Sequence, residues 1–136
     1  MKKLFVIFCF FSLAATCQNQ KKTTKENPCD PTIICTMEFK VIKLEIVDSE
    51  GNPVQLDEYY TEIEDKKIIV DKDLIGNPNG IYPVASDGEM DKVSFEGDKL
   101  TFIGLLNGEK VVEHTLVIGK DCCHIQLIKG EQKIEL

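Results

Sequence analysis

The chain has no arginine and no tryptophan among its 136 residues. Arginine reads phosphate and guanine through paired hydrogen bonds, so its absence argues against nucleic-acid recognition. The charge balance points the same way, because 16 lysines stand against 23 acidic residues and the net charge is −7. The lack of tryptophan also weakens any interpretation as a sugar-stacking domain. We therefore expect no nucleic-acid partner.

Motifs that carry catalytic chemistry are missing as well. The sequence contains no Gly-x-Ser-x-Gly, no His-Glu-x-x-His and no phosphate-cradling glycine loop. The acidic turns at 48–52, 71–73 and 87–91 lack the ligand spacing of an EF-hand, although calcium binding there stays an open alternative. We expect a protein that is not an enzyme and that holds no cofactor and no metal.

Helical periodicity is absent too, and short apolar runs separated by turn residues take its place. This spacing predicts an all-β fold, a single β-sandwich of about seven or eight strands. The best-marked hairpin joins 99–106 to 109–118 through Asn107-Gly108, the residue pair that a type I′ turn requires. Other strands are predicted at 59–63, 67–71, 80–85, 93–95, 122–128 and 132–136.

The stretch 35–53 predicts a long opening strand that ends in an acidic turn. Apolar and polar residues alternate up to Val41, and the apolar phase then moves to Ile42. One extra residue in a strand re-aims every later side chain, so the phase change predicts a β-bulge. Gly51 and Pro53 end the strand in a turn.

Residues 41–57, VIKLEIVDSEGNPVQLD, resemble the opening strand and turn of carboxypeptidase-regulatory-like domains. The matching positions are Ile46, Val47, Asp48, Gly51, Pro53 and Val54. The resemblance implies an Ig-like or prealbumin-like (transthyretin-like) sandwich over 29–136, although the family's glycine-bearing segment is missing after Thr61. The cysteine-bearing ends are similar to small lipoproteins of Bacteroidetes-type bacteria, which implies a location and no activity.

Residues 1–16 predict a cleaved signal peptide. Two lysines precede an apolar run at 4–13 that is too short to span a bilayer. Small residues then lead into Cys17, which resembles the lipobox cysteine that bacterial lipoproteins acylate with palmitate. The family usually has Leu where this chain has Ala14. Ordinary signal cleavage without lipidation is the alternative.

Residues 17–28 are polar and aperiodic, which predicts a flexible tether between an acylated Cys17 and the domain at 29–136. Some related bacteria use an acidic run after the cysteine for surface export, and this tether has Lys21, Lys22 and Lys25 instead. We therefore expect the periplasmic face of the outer membrane rather than the cell surface. The expected partners are the membrane, through Cys17, and an envelope protein.

Four cysteines remain in the domain: Cys29, Cys35, Cys122 and Cys123. An even number in an exported domain indicates disulfides, and four cysteines allow three pairings. Strand alternation favours Cys35–Cys123 with Cys29–Cys122, because Cys35 and Cys123 fall on the apolar faces of their predicted strands. Free or redox-active thiols are the alternative.

The competing functional interpretation is a periplasmic metal-binding or thiol-redox protein that uses Cys122, Cys123 and His124 as soft ligands. Against it, the chain has no Cys-x-x-Cys pair. His114 is predicted to be a core or rim histidine with a satisfied ring. The sequence favours an exported, lipid-anchored β-sandwich that serves as a non-catalytic interaction or accessory domain of the bacterial cell envelope.

Overall fold

The computed structural model describes residues 28–75 and 79–136. The predicted signal peptide, Cys17 and nearly all of the tether lie outside these residues, as do positions 76–78 of a predicted loop. The described chain forms eight strands: β1 (Val41–Val47), β2 (Glu58–Ile63), β3 (Lys66–Ile68), β4 (Ile81–Ser86), β5 (Asp98–Leu106), β6 (Glu109–Lys120), β7 (Ile125–Lys129) and β8 (Lys133–Glu135). Two short 3₁₀ helices, Lys72–Ile75 and Asp87–Lys92, complete it. The predicted all-β class is confirmed.

The strands form two sheets that make a sandwich-like fold. One sheet has the order β4-β1-β8 and the other has the order β3-β2-β5-β6-β7. β8 lies parallel to β1, so the end of the chain completes the sheet that the first strand begins. All other pairings of these strands are antiparallel. β3 and β7 are therefore the two opposite edges of the larger sheet.

The opening strand is shorter than the sequence predicts. It begins at Val41, and residues 35–40 form an irregular, largely exposed segment. The predicted bulge is confirmed, since the register of β1 against β4 shifts between Ile42 and Lys43. The later apolar phase is buried as predicted, whereas Met37 and Phe39 point to solvent. The prediction of a strand from the alternating polarity of residues 35–40 is therefore wrong.

Two further strand predictions are wrong. Residues 93–95 form no strand, although Val93 is buried. The last long strand begins at Ile125, so Cys122 to His124 lie in a bend before it.

The turn predicted at Ser86 to Glu89 opens the second 3₁₀ helix, where Ser86 and Glu89 form a reciprocal capping box. In the predicted hairpin, Asn107 and Gly108 both have positive φ, as a type I′ turn requires.

The core lies between the two sheets. Its completely buried side chains are Leu44, Ile46, Val84, Ala85, Leu100, Phe102, Leu116, Ile118 and Ile125. The Thr61 hydroxyl donates a 2.8 Å hydrogen bond to the Val84 carbonyl, which joins β2 to β4 across the sandwich. Because Thr61 is 1% exposed, this bond satisfies a hydroxyl that burial would otherwise leave unpaired.

Gly80 combines a left-handed backbone conformation with no room for a side chain. It has φ +71°, and a Cβ there would stand 2.8 Å from the Ile46 carbonyl oxygen and 2.7 Å from the Pro53 Cβ. We expect Gly80→Ala to lower the free energy of unfolding by about 2 kcal/mol, since it adds a clash to the cost of a left-handed residue.

Gly51 is the matched control for that substitution. It has φ +83°, and nothing lies within 4 Å of its would-be Cβ. Gly51→Ala should therefore cost only the conformational part, about 1 kcal/mol. Equal urea midpoints for the two variants would contradict the role assigned to the Pro53 and Ile46 contacts at Gly80.

Candidate functional site

Two disulfides fasten the segment before β1 to the bend before β7. Cys29 is bonded to Cys122 and Cys35 to Cys123, with Cα–Cα distances of 5.5 and 5.4 Å. This is the pairing that the sequence favours, but strand alternation does not explain it. None of the four cysteines lies in a strand, so the predicted strand faces do not exist.

Asp121 shapes the bend that presents the adjacent cysteines. Its Oδ1 accepts hydrogen bonds from the backbone N–H groups of Cys123 and His124, both at 2.7 Å. The bond from the Cys123 N–H is the main reason that the pKa of Asp121 lies below its usual value. This local turn, rather than strand alternation, sends Cys122 and Cys123 toward two different partners.

Asp87, the first residue of the second 3₁₀ helix, ties three segments together. Its carboxylate accepts hydrogen bonds from the Lys40 N–H at 2.8 Å, the Ile125 N–H at 2.9 Å and the His124 Nδ1 at 2.8 Å. Burial alone would raise the pKa of Asp87, but the bonds from Lys40, Ile125 and His124 outweigh it and hold that pKa below its usual value.

His124 extends this cluster to a hydroxyl. Its imidazole lies between the Asp87 carboxylate and Thr36, with Nε2 3.1 Å from Thr36 Oγ1. A ring that carries its proton on Nδ1 donates to Asp87 and leaves Nε2 to accept from the Thr36 hydroxyl. This is the acid–base–hydroxyl order of a hydrolase triad, but such chemistry also needs an oxyanion site and a substrate groove.

Two cavities of the described residues lie elsewhere. One, of about 190 Å³, is bounded by Tyr59, Tyr60, Lys67 and Lys72, and each lysine sits over a tyrosine ring. The other is an open groove of about 530 Å³ beside the Cys29–Cys122 bridge. Neither is lined by Thr36 or His124. The Asp87–His124–Thr36 cluster joins the segment before β1 to the second 3₁₀ helix and to the bend before β7. The prediction of a non-catalytic protein stays a prediction.

The residues of the metal-binding alternative are committed to other contacts. Cys122 and Cys123 are in disulfides, so neither offers a thiolate, and His124 has partners at both ring nitrogens. Across 28–75 and 79–136, no group of three or more His, Cys, Asp or Glu side chains is arranged to hold a metal ion. His114 lies at the rim as predicted, with Nε2 2.9 Å from the Glu131 carbonyl oxygen.

The disulfides also present an exposed apolar loop, residues 33–39. Its apolar side chains are unusually open to solvent for a domain with a formed core: Ile33 50%, Ile34 93%, Met37 104% and Phe39 55% exposed. Single exposed apolar residues are ordinary on protein surfaces, whereas a cluster of them indicates an interaction site. The sequence pattern does not reveal this feature, because alternation up to Val41 predicts Met37 and Phe39 on the inner face of a strand.

The partners of His124 were missed as well. Asp87 and Thr36 are 37 and 88 positions from His124, so no local pattern links them. The available signal was Ser86-x-x-Glu89, a capping-box sequence that marks the start of a helical turn and so fixes the position of Asp87.

Comparison with known proteins finds no matching family model, no matching curated protein and no matching solved structure. The resemblance to carboxypeptidase-regulatory-like and prealbumin-like domains therefore stays a prediction. No helix in the described residues is long and apolar enough to cross a membrane.

Proposed function

We propose that this chain is an exported, lipid-anchored interaction or accessory domain of the bacterial cell envelope, held on the periplasmic face of the outer membrane by an acylated Cys17. The observation that carries the proposal is the exposed apolar loop, because soluble domains rarely keep such a cluster open to water without a binding partner. The domain acts by contact and carries out no reaction of its own.

The disulfides and the N-terminal sequence support the proposed location. Disulfides persist in oxidising compartments such as the periplasm and are rare in the cytosol. The described residues hold two of them, and the first 17 residues of the sequence have the layout of a lipoprotein signal. A multiply acylated cysteine holds a domain on a bilayer without any spanning helix, because each buried methylene contributes about 0.8 kcal/mol.

Replacing Cys17 should release the protein from the membrane. In cells fed labelled palmitate, the wild-type chain should carry label and sediment with membranes, whereas Cys17→Ser should be unlabelled and largely soluble. Cys9→Ser is the matched control, since Cys9 lies within the predicted signal and should leave both results unchanged. Equal labelling of wild type and Cys17→Ser would overturn the anchor.

A further inference from the structure

The exposed apolar loop protrudes rather than lining a groove. Ile34 and Met37 are 93% and 104% exposed, which is as open as the same side chains in an extended peptide. We propose that residues 33–39 insert into the interface of a zwitterionic phospholipid membrane, the same bilayer that holds the Cys17 anchor. This inference rests on the proposed function, and it names the partner of the surface on which that function depends.

The loop is held in its exposed form from several sides. Cys35 is bonded to Cys123, and the Thr36 hydroxyl meets His124 Nε2. At the end of the segment, Lys40 donates its N–H to the Asp87 carboxylate and accepts a 3.0 Å hydrogen bond from the Asp87 N–H. The segment is thus held at Cys35, Thr36 and Lys40 while its apolar side chains face solvent. Binding a partner therefore costs little further conformational entropy.

The N-terminal part of the chain outside the described residues ends a few positions before this loop in the sequence. Pro28 is the first described residue, and the loop begins five positions later. The stretch 18–28 is a polar chain that reaches at most about 36–40 Å when extended and averages roughly half that when flexible. An anchor at Cys17 therefore keeps the loop close to the bilayer at an effective concentration of about millimolar, where even a weak contact is occupied.

Charge selects the type of lipid. Without its first 16 residues the chain carries 14 positive and 23 negative side chains, so an anionic surface would repel it. Within residues 33–40 the only charged side chains are Glu38 and Lys40, whose charges cancel. A zwitterionic interface accepts the apolar side chains without that repulsion, and this is the opposite of the polybasic mode of membrane binding.

The absence of tryptophan gives a direct test. Ile34→Trp places a single reporter in the loop of the mature chain, and an N-terminal hexahistidine in place of Cys17 holds it on nickel-chelating vesicles of phosphatidylcholine. Ile69→Trp is the matched control, because Ile69 is 83% exposed and follows β3, at the sheet edge opposite β7. We expect the Ile34→Trp emission to shift to shorter wavelength and to be quenched by brominated lipid, and the control to show neither effect.

Two further arms sharpen the result. Met37→Asp in the Ile34→Trp chain should abolish the quenching, and a high anionic lipid fraction at low salt should weaken it. The inference would be overturned if Ile34→Trp were not quenched on vesicles that retain the protein, or if both reporters were quenched equally. It would also be overturned if the Ile34→Trp emission shifted only when extracted envelope proteins were added. The hexahistidine replaces the acyl group, so this outcome is independent of the palmitate experiment on Cys17.

Discussion

Removing both disulfides should lower the free energy of unfolding by about 7 kcal/mol, whereas removing either one should cost less than half of that. Cys29–Cys122 spans 93 positions and Cys35–Cys123 spans 88. A single bridge that closes a loop of this size contributes about 4.6 kcal/mol in the chain-entropy model. Both bridges join the same two segments, however, so their contributions are not independent: the second bridge contributes less once the first is formed.

The second bridge closes only a short remaining loop. With either bridge in place, the ring that the other completes consists of residues 29–35 and 122–123. A loop of about 9 residues is worth about 2.6 kcal/mol in the same model. Each single removal should therefore cost about that much, and the combined removal should cost more than the sum of the two.

The measurement is urea unfolding of four forms of the domain: wild type, Cys29→Ala/Cys122→Ala, Cys35→Ala/Cys123→Ala and the fourfold variant. Cysteines are replaced in pairs so that no free thiol is left to exchange with the other bridge. The slope of each transition must be compared as well, since open chains expose more surface than cross-linked ones. Two single losses of about 4–5 kcal/mol that simply add would contradict the shared-ring argument.

The sequence predicts the strands best where signals are local. The change of apolar phase after Val41 identifies the bulge, and Asn107-Gly108 identifies the turn of the β5–β6 hairpin. Both depend on side-chain period or on positive φ, which neighbouring residues reveal. The parallel pairing of β8 with β1 joins Glu45 to Lys133, and nothing in either segment specifies it.

The segment 35–40 shows where the period-two argument fails. Its alternation of apolar and polar residues is real, but the segment is held by a disulfide at Cys35 and a hydrogen bond at Thr36, two neighbours that fall in opposite phases of the pattern. Met37 and Phe39 point outward instead of into the core. A clamped loop and a half-buried strand thus produce the same pattern, and only contacts with residues more than 80 positions away distinguish them.

Asp87→Asn should be the most damaging isosteric substitution of an acidic side chain in the described domain, with a loss of about 3 kcal/mol at neutral pH. The carboxylate accepts three N–H donors that come from the loop segment, from β7 and from His124. An amide keeps one acceptor oxygen and turns an NH₂ group toward the remaining donors. Asp57→Asn is the control, because Asp57 is exposed. Within the described residues its carboxylate accepts one hydrogen bond, from the backbone N–H of Asn107, where that of Asp87 accepts three.

The pH dependence of this loss shows how much of the stabilisation by Asp87 comes from its negative charge rather than from the shape of its side chain. Its folded pKa lies below the unfolded value of about 3.9, so its stabilisation is complete above that value and disappears as the pH falls through the folded pKa. The gap in unfolding free energy between wild type and Asp87→Asn should therefore narrow as the pH falls below about 4. Asp121 also has a lowered pKa, but it is present in both proteins and cancels in the difference. A gap that stays constant down to pH 2 would show that the carboxylate charge does not hold the loop, the helix and β7 together.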